Sequence, residues 1–243
     1  MAADHPVDAL LADPWAALRV AFGDPLHPGG RAATAALLDS AGVGSGTRLL
    51  DAGCGAGAAF ALARERGARP VGVDRDPATG PDGADPSATV RGDVARLPLR
   101  AGAVEVVLSE CVLCLAPSVE RTLAEFRRVL ASGGRLALSD VVVEGDPPDL
   151  PAPLAGALCL AGDRSRGALL DRLDAAGFAV GEVRDHRSDL LAMRDRAADR
   201  IDYEGLLGAL GERGRALRAG VRRLERAVEA GRVSYVSLVA TVP

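Results

Sequence analysis

The stretch Asp51-Ala-Gly-Cys-Gly-Ala-Gly57 follows the apolar pair Leu49-Leu50 and opens a helical pattern. Glycines let the backbone turn sharply and pass close to a ligand, and the helix that follows offers unpaired N–H groups at its start. Two readings stand at this point. Gly53-x-Gly55-x-x-Ala58 satisfies a dinucleotide fingerprint, with Asp74 at a suitable distance for a ribose hydroxyl. The same turn also suits other adenosine-bearing ligands, so the rest of the chain has to decide.

Outward from the turn, short apolar runs bounded by turn residues alternate with helical spacing. Strands are expected at Arg48–Asp51, Pro70–Asp74, Ala88–Arg91, Val104–Ser109 and Arg135–Val142, with helices at Gly57–Arg66 and Ser118–Leu130. Such alternation predicts an α/β fold, a doubly wound, mostly parallel sheet covered on both faces. Residues 1–45 read as a helical cap or lid, broken at Gly23-Asp-Pro-Leu-His-Pro-Gly-Gly30. Residues 46–145 read as the cofactor-binding core. Residues 146–243 add helices near Leu154–Leu160, Arg166–Ala176 and 187–230, and strands at Phe178–Val183 and Arg232–Thr241. The two late strands complete a seven-stranded sheet with an antiparallel edge, and the charged helices form an insertion before the last strand.

Further landmarks follow the later strands. Asp51 precedes the first glycine, Arg91-Gly-Asp93-Val-Ala-Arg-Leu-Pro98 follows the third strand, and Leu130-Ala-Ser-Gly-Gly-Arg-Leu136 turns into the fifth. Over residues 45–145 this arrangement resembles the class I S-adenosylmethionine-dependent methyltransferases, with their Rossmann-like fold. The resemblance implies S-adenosyl-L-methionine as cofactor, with Asp51 facing its methionine end, Asp74 on the ribose hydroxyls and Asp93 beside the adenine. Gly53, Cys54, Gly55, Gly57, Arg75, Val94 and Ser109 complete the implied cofactor set. One departure is Pro77–Pro86, where such enzymes carry an amphipathic helix and this composition disfavours one.

In an open parallel sheet the ligand lies beyond the carboxyl ends of the strands. That places Glu110, Cys111 and Asp140 where a methyl acceptor would sit. Cys54, between two glycines, reads as a small packing group. Ser109-Glu-Cys-Val-Leu-Cys-Leu115 and Cys159-Leu-Ala-Gly162 resemble the corresponding segments of arsenite methyltransferases. That resemblance implies a soft centre captured by the thiols of Cys111 and Cys159. It is incomplete, because those enzymes carry a third thiol in their N-terminal part and no cysteine precedes Cys54 here. The alternative acceptor is a quinone carbon or a secondary-metabolite hydroxyl, activated by His27, Glu110 or Asp140. His186 reads as a surface residue, and His5 takes no role. Cys111 and Cys114 form a C-x-x-C, but zinc would need a second ligand pair, so no metal site is expected.

Composition removes other classes. The net charge is −4, all 29 basic residues are arginine, and the arginines of 187–230 alternate with Asp and Glu as in a solvated helix face, so no nucleic-acid partner is expected. No long apolar run or leader-like start is present, so the expectation is a cytoplasmic protein off the membrane, with its four cysteines as free thiols. The expected partners are a small-molecule acceptor and, for the helical region, a second copy of the chain. An NAD-dependent oxidoreductase is the further alternative. A chain without lysine has no Tyr-x-x-x-Lys pair for it.

Overall fold

The computed structural model describes residues 5–23, 26–77 and 88–243. The seven strands are β1 Arg48–Ala52, β2 Arg69–Asp74, β3 Thr89–Arg91, β4 Val104–Glu110, β5 Leu130–Val143, β6 Ala179–Asp185 and β7 Val233–Thr241. They form one sheet in the order β3-β2-β1-β4-β5-β7-β6. β1 through β5 pair in parallel, whereas β7 runs antiparallel between β5 and β6. The expected doubly wound sheet is present, and the order reverses at the β1/β4 boundary. That boundary opens a crevice beyond the strands' carboxyl ends.

Helices cover both faces because strand side chains alternate. On one face α3 (Gly30–Ser40) and α4 (Ala58–Glu65) bury Leu37, Leu38 and Leu62 against Leu49, Val106 and Leu108. On the other, α5 (Val119–Val129) and α7 (Arg166–Ala175) bury Leu123, Phe126, Leu169 and Leu173 against Leu50, Val107, Leu136 and Leu138. The start of α5 is set by Ser118, whose hydroxyl accepts from the Arg121 N–H at 3.2 Å.

The remaining helices are α1 (Pro6–Ala12), α2 (Pro14–Phe22), α6 (Ala152–Ala157), α8 (Arg187–Arg200), α9 (Tyr203–Ala209) and α10 (Gly211–Glu229). Val7, Leu154, Leu207 and Leu217 form a separate apolar cluster, so the first helix packs on the last ones. The charged stretch 187–230 thus buries a narrow seam and leaves its arginines to ion pairs such as Arg222–Glu204 and Arg194–Glu229. Among the described residues no helix is long and apolar enough to cross a membrane.

Some boundaries differ from expectation. β5 begins at Leu130, paired with Val104, and resumes at Arg135, paired with Val106, so Ala131–Gly134 is a bulge within the strand. Gly133 there has φ +71°, and a Cβ on Gly134 would meet the Ala131 carbonyl oxygen at 2.7 Å. β5 also continues three residues past Asp140, because β7 pairs with it as far as Val143. The helix expected at Leu154–Leu160 stops at Ala157, and 187–230 is three helices, broken before the Asp202 cap and at Gly211. The proline-rich departure after Pro77 lies largely outside the described residues.

Gly72 tests how closely β2 approaches α4. A Cβ there would lie 2.6 Å from Cys54 Sγ and 2.7 Å from Phe60 Cζ. Gly72→Ala is expected to destabilise the fold by about 1–3 kcal/mol through overpacking, read as a lower urea midpoint with unchanged m.

Candidate active site

The glycine turn is built as its sequence requires. Gly53 and Gly55 have φ of +76° and +48°, conformations that side chains disfavour. The Gly53 N–H donates to the Val73 carbonyl at 2.7 Å, tying the turn to β2. Around Gly55 nothing among the described residues lies within 4 Å of a notional Cβ, which leaves the turn open to a ligand on that side. The Gly55 N–H donates to Asp74 Oδ2 at 2.9 Å, and Asp74 Oδ1 accepts from the Asp76 N–H at 2.8 Å. Gly57 caps α4 in a left-handed conformation.

The other implied cofactor residues occupy varied positions. Cys54 is buried against Phe60, and burial raises its thiol pKa, so its side chain serves packing. Asp93 Oδ1 accepts from the Ala95 N–H at 2.9 Å, which orients the turn after β3, and Val94 packs on the core beside it. Arg75 is exposed at the end of β2. Ser109 is fully buried, and its hydroxyl has no hydrogen-bond partner among the described residues.

Carboxylates converge on the crevice. Asp51 is buried, and its carboxyl is pushed up to about 8, first by desolvation and then by the negative charges of Glu110 and Asp74. Desolvation also raises Glu110, against the opposing effects of His27 and of a hydrogen bond from Thr34. The Thr34 hydroxyl donates to Glu110 Oε2 at 3.0 Å and lies 3.3 Å from His27 Nε2, which is itself 3.9 Å from the same carboxylate oxygen. His27 therefore faces inward from the turn before α3. A cluster of this kind favours a ligand with positive charge over one with a pyrophosphate.

The thiols gather beyond β4 and β5. Cys111 and Cys159 are the only non-glycine residues with positive φ among the described residues, at 54° and 60°. That backbone costs on the order of 1–3 kcal/mol per residue and persists where surrounding structure enforces it. Cys111 Sγ, Cys159 Sγ and an Asp140 carboxylate oxygen all lie within 4.8 Å of one another. The fold thus assembles a set with metal-ligand spacing that the linear spacing of cysteines did not suggest. Composition led to four free thiols being expected, and the structure corrects this: Cys54 and Cys111 are free, whereas Cys114 and Cys159 form a disulfide across 45 residues of sequence, with Cα atoms 5.1 Å apart. The 3₁₀ turn Leu113–Leu115 and the end of α6 face each other across one apolar cluster, a proximity that compartment arguments do not address.

Four supporting residues, Thr34, Cys114, Arg164 and Tyr235, were not singled out from sequence as site residues, and they surround Asp140 and Glu110, which were. Asp140 Oδ2 accepts from the Cys114 N–H at 3.1 Å and Oδ1 from the Val141 N–H at 2.9 Å, while burial raises its carboxyl to about 6. Arg164 donates to the Cys114 carbonyl at 2.8 Å. Tyr235 is buried on β7 and donates to Ser139 Oγ at 2.6 Å. Burial, then Asp140 and Glu110, push the Cys111 thiol upward, and a hydrogen bond with Tyr235 opposes them. The C-x-x-C was a usable signal for Cys114, whereas nothing local marks Thr34, Arg164 or Tyr235. His186 is half-buried with Nε2 2.7 Å from Ser237 Oγ, beside a small pocket that Glu110, Ser139 and Tyr235 also line, so it is not the surface residue expected.

Comparison with known proteins adds the following. Residues 50–138 match a family model described as a methyltransferase domain. An arsenite methyltransferase of Halobacterium salinarum is 34% identical over 184 residues, covering 70% of this chain and 46% of that protein. Methyltransferase GfsG of Streptomyces halstedii is 30% identical over 146 residues, 56% of this chain and 52% of that one. The chain therefore spans about half the length of the curated relatives it matches. Among solved structures, the [4+2]-cyclase SpnF superposes with a TM-score of 0.71 at 23% identity, covering 97% of this chain and 94% of the other. A geranyl diphosphate methyltransferase in complex with SAM gives 0.70 at 19% identity, covering 100% and 93%. At such identities the solved structures speak to fold alone.

The Asp51 environment makes stability depend on pH. A carboxyl moved from 3.8 to about 8 binds its proton more tightly folded than unfolded. Its stabilising contribution is therefore full below pH 4 and is lost as pH rises towards 8. Asp51→Asn is expected to flatten the fall in denaturation midpoint between pH 5 and pH 8. An unchanged slope would show that the carboxyl is not raised.

Proposed function

We propose that this chain, which carries a class I S-adenosylmethionine-dependent methyltransferase domain, transfers the cofactor's methyl group to a small-molecule acceptor held as a soft, thiol-captured centre. The observation that carries the reading is the pairing of Cys111 and Cys159: both in left-handed backbone, from separate elements, with sulfurs within 4.8 Å. The arsenite methyltransferase relative supports a trivalent metalloid as that centre.

The residues present fit the cofactor. The open side of Gly55 admits a backbone-close ligand, Asp74 at the end of β2 suits vicinal ribose hydroxyls, and Asp93 after β3 suits an adenine amino group. Asp51, with Glu110 and Asp74 as neighbours, offers an acidic, desolvated wall to a cation. When bound, the cofactor supplies a methyl group on a positively charged sulfur. The same wall disfavours a dinucleotide, whose pyrophosphate would meet Asp51 in low dielectric.

The chain's own contribution is capture and alignment. Trivalent arsenite, As(OH)3, condenses with two thiols, each thiol proton leaving in a water as an As–S bond replaces an As–O bond. No strong base is needed, which suits a Cys111 thiol held protonated by burial. Capture through Cys159 starts from the reduced form of its pair with Cys114. Sulfur ligands leave the arsenic lone pair free to act as nucleophile, and fixing it beside the crevice supplies proximity and orientation. Leu115, Leu158 and Leu160 wall the thiols with apolar surface and exclude water.

A second reading has its own observation. His27, Thr34 and Glu110 form a buried polar relay at the same crevice, suited to removing a proton from an acidic carbon or hydroxyl. Purified protein with labelled S-adenosylmethionine, arsenite and a dithiol is expected to yield labelled methylarsenical. Cys111→Ser should lower that turnover at least 100-fold while cofactor affinity stays within threefold. Full turnover in Cys111→Ser would sink the thiol version. Turnover on a carbon or oxygen acceptor, lost in His27→Ala, would establish the second reading.

A further inference from the structure

We infer that a row of polar side chains beneath α3 is the proton outlet of the crevice, carrying protons displaced by the cationic cofactor from Glu110 to His186 at the edge of the sheet. The inference concerns cofactor binding and holds whichever acceptor is methylated. Register sets the row. Glu110 of β4 pairs with Ser139 of β5, Ser139 with Ser237 of β7, and Ser237 with Arg184 of β6. All four line one pocket, so their side chains share the sheet face that α3 covers. Neighbouring strands lie about 4.8 Å apart, so the row spans about 14 Å.

The next row down the sheet, Leu108–Ala137–Val239, is apolar and packed, so the polar row is a departure from its own face. Over it α3 places Ala33 and Ala36, which are too short to fill the space. They leave a pocket of about 30 Å³, room for about two waters among polar groups. The Tyr235 hydroxyl donates to Ser139 Oγ at 2.6 Å, which leaves the Ser139 proton for the pocket. At the far end Ser237 Oγ lies 2.7 Å from His186 Nε2, and His186 Nδ1 lies 3.6 Å from Asp189 Oδ2. The His186 and Asp189 side chains are 28% and 33% exposed, which gives the row its solvent end. Arg184 is paired with Glu182 at 3.1 Å, so its charge is offset. His27 also adjoins Glu110, but it is only 11% exposed and its Nδ1 is turned to the Pro28 carbonyl.

The crevice has a proton to lose. Asp51 pairs with Leu108, two residues before Glu110, so the two carboxyls stand on neighbouring strands at the same face. With its carboxyl held at about 8, Asp51 carries a proton at pH 7. A cation beside it favours the carboxylate and drives that proton out. A ligand seated in the crevice covers its mouth, whereas the row leads away beneath α3. One proton reaches solvent for each carboxyl that ionises. Each hydroxyl, water or imidazole on the way releases one proton as it accepts another, so only O–H and N–H bonds change. The charged and titratable groups facing the path are His27 and Asp74 at the crevice, Cys111 against Tyr235, and Arg184 and Asp189 at the edge.

The test mixes the full chain with S-adenosylmethionine at pH 7 in a stopped-flow instrument and follows a pH-indicator dye, with no acceptor present. The unaltered protein is expected to release protons on binding, and S-adenosylhomocysteine, which lacks the positive charge, to release fewer. His186→Gln and Ser237→Val should each slow that release at least tenfold. The number of protons released and the affinity for S-adenosylmethionine should stay within threefold, which a variant with a damaged fold would not achieve. Added imidazole should restore the rate in His186→Gln and not in Ser237→Val, where a methyl group fills the pocket. A crystal structure of the S-adenosylhomocysteine complex should show ordered waters bridging Glu110, Ser139 and Ser237. Release as fast in both variants as in the unaltered protein would overturn the outlet, as would a dry pocket in that crystal structure. No proton released by the unaltered protein would overturn the protonated crevice from which the inference starts. None of these outcomes bears on whether the acceptor is captured by thiols, which the arsenite assay with Cys111→Ser decides separately.

Discussion

Parallel pairing of β1 through β5 sends every one of those strands out of the sheet at the same edge, and the chemistry of this molecule depends on that constraint. Asp51, Asp74, Glu110 and Asp140 come from four different strands, yet each sits at or just beyond the end of the parallel ladder. The register makes this specific: Glu110 pairs with Ser139, so Asp140 is the first β5 residue past β4. Side chains of like charge are thereby crowded in a buried crevice, where solvation is poor and their mutual repulsion is strong. Such a crevice is costly in the free protein and well matched to a cationic ligand.

The antiparallel strand β7 has a different consequence. It separates β5 from β6 and brings Tyr235 beneath the thiol cluster, with Ser139 as its acceptor. Its pairing with β5 also extends that strand to Val143, which gives the Asp140 clamp a rigid base. The helices before β7 pack on those that precede β1, so elements from distant parts of the chain share one apolar cluster. Fold alone does not dictate a reaction. A cyclase and several methyltransferases share the architecture, and the distinction lies in the side chains that line it.

Much of this was legible in residue order. The alternation of apolar runs and helical spacing, the glycine turn and the acidic residues after successive strands identified the doubly wound sheet and the cofactor edge. These features are local: period, turn chemistry and strand ends are written within a few residues of each other. Cys111 and Cys159 were recognisable as a pair by resemblance. Their left-handed backbone was not, because conformation at a non-glycine residue is enforced by packing rather than by identity.

What the tertiary structure decided is which distant groups meet. Cys114 appeared as half of a C-x-x-C that lacked partners, and free thiols were expected from composition. Only the crossing of the 3₁₀ turn with the end of α6 brings Cys114 to Cys159. Thr34, Arg164 and Tyr235 likewise carry no local signature, since each meets its partner in the site, Glu110, Cys114 or Ser139, across a long separation in sequence. The chain by itself therefore determined the class of fold and the edge where the candidate site lies, through short-range pattern. The composition of the thiol site was decided by long-range contact, because sulfur, carboxylate and phenol acquire their roles only from the neighbours that folding gives them.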